Sequence, residues 1–91
     1  MPELQITVLD PDTRQVQQAA GRLRALLRSE GVPACVHEVS CYLEISRRGL
    51  ADKTPAIAFS NMVLRCTSLD EPVLRELARK LGTLHGGESG E

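Results

Sequence analysis

Thr54-Pro55-Ala56-Ile57-Ala58-Phe59 is the stretch on which the fold turns. The residue ahead of a proline is driven toward extended backbone, and proline has no N–H to give to a ladder, so Pro55 belongs at the start of a strand. The run behind it is apolar, and no C-x-x-C pair precedes it. The strand's neighbours must therefore be found in the rest of the chain.

Upstream, Leu4, Ile6 and Val8 alternate with Glu3, Gln5 and Thr7, the period-two signature of a strand over 3–9. Asp10-Pro11-Asp12 then reads as a helix start, with Asp10 as N-cap, Pro11 in the first helical position and Asp12 against the positive end of the dipole. Val16, Ala19, Ala20, Leu23, Leu26 and Leu27 follow at three- and four-residue spacing, which predicts an amphipathic helix ending near Glu30 with Gly31 as a left-handed cap. Pro33 introduces a mixed second strand over 34–39, of the kind an edge position allows. A strand, helix and strand joined so closely form a crossover unit with parallel strands.

Ser40 is placed to cap a short helix over 41–48 that stops at Gly49. Strand three then runs over 55–59 and strand four over 62–66, joined by a tight Ser60-Asn61 turn. Ser68-Leu69-Asp70-Glu71 has capping-box spacing, with Asp70 a rival cap one step later and Pro72 tolerated in the first turn. Val73, Leu74, Leu77, Ala78 and Leu81 form the stripe of a last helix ending at Gly82. The sequence over 85–91 is Gly-, Ser- and Glu-rich and reads as a disordered tail. One domain over 1–84 results.

Composition bounds the function. With 91 residues, 42% hydrophobic and 25% charged, the chain has the make-up of a single small globular domain. Its 11 basic and 12 acidic side chains nearly cancel, leaving no long-range field to attract nucleic acid or an acidic membrane. No apolar run approaches the roughly 20 residues of a membrane helix, and Met1-Pro2-Glu3 lacks a signal-peptide start. A cytoplasmic protein with its three cysteines reduced is expected.

The order βαβαββα, with Thr54-Pro55 opening the third strand, resembles the thioredoxin superfamily, specifically its small redox-active disulfide type. The resemblance covers about residues 3–82. It is carried by Leu4-Gln5-Ile6-Thr7-Val8, Glu30-Gly31-Val32, Arg48-Gly49-Leu50 and Thr54-Pro55-Ala56-Ile57. It implies an α/β thioredoxin-like fold with a four-stranded mixed sheet of order 2-1-3-4, flanked by three helices. It also implies a cis Thr54-Pro55 bond facing the reactive site. In that family a C-x-x-C pair stands where strand one gives way to helix one; counting back from Glu30-Gly31-Val32 puts Thr13 and Val16 on those positions. Thiol–disulfide exchange needs a thiolate activated at the helix N-terminus and a second thiol to resolve the mixed disulfide. Thr13 is too weakly acidic for the first role, and Val16 cannot perform the second.

The remaining cysteines do not repair the loss. In a 2-1-3-4 sheet Cys41 and Cys66 would sit on opposite edges, roughly 14 Å apart across three strand spacings, whereas a disulfide needs α-carbons within about 7 Å. Cys35 belongs toward the other end. Cys41 is the single-thiol candidate, since a first-turn position would expose it to the helix dipole. Cys35, His37 and Cys41 match no zinc spacing and lack a fourth ligand. Arg14, Arg47 and Arg48 could hold an anion but read more simply as solvated helix faces. Capping explains Asp10 and Asp12 without catalysis.

The expectation is a non-catalytic protein-binding or regulatory module with a degenerate active site and no cofactor or metal. Asp10, Pro11, Asp12 and Pro55 are its partner-binding candidates, and it would use the groove at Pro55 or a sheet edge to hold a protein or peptide. The circadian KaiB-like proteins, a dithiol-free thioredoxin-like group, support the same class. The alternative is a single-thiol redox protein working through Cys41. Open strand edges would also allow a homodimer.

Overall fold

The computed structural model describes residues 4–59 and 62–89. Along the chain it forms β1 (Leu4–Leu9), α1 (Thr13–Ser29), β2 (Ala34–Val39), α2 (Tyr42–Arg47), β3 (Ala56–Phe59), β4 (Met62–Arg65) and α3 (Glu71–Ser89). The four strands make one sheet of order β2-β1-β3-β4. Strand β1 runs parallel to β2, with Ile6 beside Val36, and antiparallel to β3, with Leu9 beside Ala56. β4 returns antiparallel along β3. The expected Ser60-Asn61 turn lies outside the described residues.

Alternation along β1 sends Ile6 and Val8 to one face of the sheet and Leu9 to the other. On the first face Ile6, Val8, Val36 and Ile57 meet the stripe Val16, Ala19, Ala20, Leu23 and Leu27 of α1 and Leu74, Leu77, Ala78 and Leu81 of α3. Each fully buried large aliphatic side chain contributes about 1.5–3 kcal/mol, so this cluster is the main source of stability. On the opposite face a separate, smaller cluster joins Leu9, Ala56, Ile45 and Leu50. It fastens α2 over one end of the sheet only. Among the described residues no helix is long and apolar enough to cross a membrane.

Local structure departs from the sequence expectations at five points. The N-cap of α1 is Asp12, not Asp10: its carboxylate accepts from the Gln15 N–H at 3.1 Å. The cause is that the Asp10 N–H still donates to the Val39 carbonyl at 3.2 Å, extending the sheet by one rung and delaying the helix past Pro11. Likewise α2 begins after Cys41, which is its N-cap without a side-chain bond, because the Ser40 hydroxyl is engaged elsewhere. Strands β3 and β4 are each one residue shorter than expected, although the Cys66 N–H still donates to the Pro55 carbonyl at 2.9 Å. At the start of α3 the Asp70 carbonyl accepts from the Leu74 N–H at 3.1 Å, while Ser68 Oγ accepts from Asp70 rather than from Glu71.

The fifth departure is the length of α3. The helix passes Gly82, its expected end, and runs to Ser89; of the expected tail over 85–91, residues 90–91 lie outside the described residues. Gly31 and Gly49 do take the left-handed conformation of caps, both at φ 74°. Gly82 serves a different purpose. A Cβ there would stand 3.1 Å from Glu30 Oε1 and 3.3 Å from Glu30 Cβ, so the glycine lets α3 cross closely over the turn that ends α1. Gly82→Val should therefore lower stability by about 1–3 kcal/mol through overpacking, seen as a lower urea midpoint at unchanged slope. An unchanged midpoint would refute the close crossing.

Candidate functional site

One end of the sheet collects nearly every residue the sequence singled out. There β1 and β2 finish and β3 begins, bringing together Asp10, Pro11, Asp12 and Thr13 after β1, Ser40 and Cys41 after β2, and Thr54-Pro55 before β3. Leu9 pairs with Ala56, so the register runs on to set Asp10 beside Pro55. The Thr54-Pro55 bond is cis.

The two positions matched to a dithiol have opposite environments. Thr13 is exposed, and its hydroxyl donates to Ser40 Oγ at 3.1 Å, linking the start of α1 to the end of β2. Val16 is 1% exposed and belongs to the main core. Asp10 is the buried polar residue of this region, and its Oδ2 accepts from Gln15 Nε2 at 2.8 Å. Burial first, and the nearby Asp12 charge second, push its carboxyl above the usual aspartate range. Of the four partner-binding candidates, then, Asp10 and Asp12 are committed to holding the β1–α1 junction. Pro11 is exposed and Pro55 half-buried.

The three cysteines are free thiols: Cys41 is exposed, and Cys35 and Cys66 are half-buried. Cys35 lies on β2 and Cys66 just beyond β4, the two outer strands. Burial pushes the Cys66 thiol up. His37 Nε2 donates to Gln5 Oε1 at 2.7 Å, and among the described residues no group of three or more histidine, cysteine or carboxylate side chains could hold a metal ion. Arg48 pairs with Glu44 at 3.2 Å, whereas Arg14 and Arg47 are exposed.

Two residues were missed by sequence reasoning. Tyr42 and Leu43, at the start of α2, are 58% and 67% exposed, though both are large and largely apolar. A signal was present: Leu43 stands two positions before Ile45, about 200° around the helix, so burying Ile45 turns Leu43 outward. The site thus offers an apolar step next to a hydroxyl pair and two prolines. Ser40 and Thr13 bond to each other, and among the described residues neither bonds to a histidine or carboxylate. No family model, curated protein or solved structure matches this chain.

Two outcomes follow from these environments. The folded state raises the Asp10 pKa, so folding favours the protonated form, and the residue's contribution to stability falls as pH rises from the unfolded value of about 3.9 through the folded one. Asp10→Asn, which keeps an acceptor for Gln15, should be at least as stable as the parent at pH 7. Its advantage should shrink on acidification toward pH 4; an advantage that grows on acidification would show that the carboxylate is stabilising. Alkylation followed by mass spectrometry should modify Cys41 before Cys35 and Cys66, with Cys66 slower than a free cysteine, and rapid labelling of Cys66 would contradict its burial.

Proposed function

We propose that this chain is a thioredoxin-like protein of the small redox-active disulfide type that lacks the dithiol. It serves as a non-catalytic protein-binding or regulatory module, receiving an extended polypeptide at the Pro55 end of the sheet. The 2-1-3-4 sheet and the placement of Thr54-Pro55 at the start of β3 are what the resemblance implies. The observation that carries the functional reading is the exposure of Tyr42 and Leu43 beside the Thr13–Ser40 pair, where a reactive site would have sulfur. Aromatic and aliphatic anchors flanked by polar rim groups are the usual source of binding energy at protein interfaces. The absent thiols remove the competing chemistry.

A second reading rests on Cys41, the exposed member of the three thiols. Its thiolate would attack a small-molecule disulfide such as oxidised glutathione, form a mixed disulfide and expel one thiolate, and a second external thiol would then regenerate it. No resolving cysteine is bonded or paired with it in the chain.

Selection from a displayed library of random peptides separates the two. Peptides enriched on the parent protein should lose about 2 kcal/mol of affinity, roughly thirtyfold, on the double substitution Tyr42→Ser, Leu43→Ser, and bind Cys41→Ser unchanged. Peptides that bind the double variant as well as the parent would end the reading. A stable glutathione adduct at Cys41, with no peptide selected, would favour the thiol alternative instead.

A further inference from the structure

The sheet has two outer strands, and their free edges are built differently. The Leu4 and Asp10 N–H groups donate to Pro33 and Val39, so the even-numbered residues of β2 turn their backbone groups outward. The middle one is occupied: Arg24 Nη2 donates to the Val36 carbonyl at 2.7 Å and pairs with Glu38 at 3.1 Å. A charged side chain laid on an edge is a device against further strand pairing. The centre of the β2 edge is occupied.

The β4 edge is open. The Cys66 N–H bonds to the Pro55 carbonyl, and Leu64 pairs with Ile57 and Met62 with Phe59, so alternation makes these the pairs bonded to β3 and leaves Val63 and Arg65 with outward N–H and C=O groups. Among the described residues none of those groups has a recorded partner. Two large apolar side chains are exposed along this edge, Met62 at 54% and Val63 at 46%, with Arg65 exposed beside them. On the same face as Met62, a groove between β4 and α3 is lined by Leu64, Cys66, Val73 and Leu77, with Glu76 and Lys80 at its rim.

We propose that the occupant of this edge is a second copy of the chain, paired antiparallel through β4 about a two-fold axis centred on Leu64, making a continuous eight-stranded sheet. Both outward-facing residues are used only in the register that sets Val63 opposite Arg65 of the second copy and Leu64 opposite Leu64. It forms four backbone hydrogen bonds, two from each Val63–Arg65 pair. It also sets Met62 of each copy opposite Cys66 of the other, so an exposed side chain meets the apolar groove. Arg65 faces Val63 and not another arginine. The two-fold sets the acidic Glu76 and basic Lys80 of one α3, a turn apart, against the same pair running the other way. An isologous interface must be self-complementary, and this edge is so in hydrogen bonds, shape and charge.

This contact lies away from Tyr42 and Leu43 and is tested independently of the peptide-binding reading. Sedimentation of the full chain over a range of concentrations should show a monomer–dimer equilibrium. A mixed-label sample should give an intermolecular nuclear Overhauser contact between Leu64 methyls. Val63→Pro removes an outward N–H that the hairpin does not use, so the fold survives, and dimerisation should weaken by about tenfold or more. Met62→Lys, which keeps the backbone intact, should do the same, while Tyr42→Ser should leave dimerisation unchanged. A parent protein that stays monomeric at every concentration, or a dimer that tolerates both edge substitutions, would overturn the proposal.

Discussion

Strand β1 is paired on both sides, fully buried on the face of α1 and α3 and covered at Leu9 on the other, and every other element is located by it. Its even-numbered residues serve the parallel partner β2, and Thr7 and Leu9 serve the antiparallel partner β3, so the centre of the strand has its backbone groups paired on both sides. Ile6 and Val8 anchor the layer of α1 and α3, and Leu9 anchors α2. The extra rung at Asp10 fixes where α1 can start, which in turn sets Thr13 against Ser40.

That placement governs the chemistry open to the molecule. A helix N-terminus facing the start of another strand is a favourable position for a thiolate, yet the two residues delivered there are a hydroxyl committed to a neighbour and a valine committed to the core. The buried carboxyl of Asp10 is held neutral more readily than an ordinary aspartate by its surroundings. It sits where it can stiffen the junction through Gln15. What faces outward at this end mixes Pro11, Tyr42 and Leu43 with the polar Asp12, Thr13 and Cys41.

Much of this was legible from residues alone, and the failures have definite physical causes. Alternation in β1 and the three-four spacing of α1 and α3 located the core because burial on one face imposes a strict period. Thr54-Pro55 located β3 because proline excludes most other placements. Helix starts were less legible: Asp10, Asp12, Ser40 and Ser68 are all competent caps by type, and the choice among them was made by tertiary hydrogen bonds, Asp10 to Val39 and Thr13 to Ser40, that no local window contains. Gly82 misled for a related reason. A glycine that ends a helix and one that admits a neighbour are identical in sequence, and only the approach of Glu30 tells them apart. Tyr42 and Leu43 were overlooked because a helix of six residues is too short for its periodicity to be read with any force.

The two apolar clusters share no residue. Helix α2 is seated by Ile45 and Leu50 on Leu9 and Ala56, with Val39 and Ala58 packed against them, so freeing it would leave the larger layer of α1 and α3 intact, and its opening costs far less than global unfolding. The molecule is in this sense a rigid chassis with one lightly sprung panel. The exposed Tyr42 and Leu43 therefore ride on the more weakly anchored of the two layers.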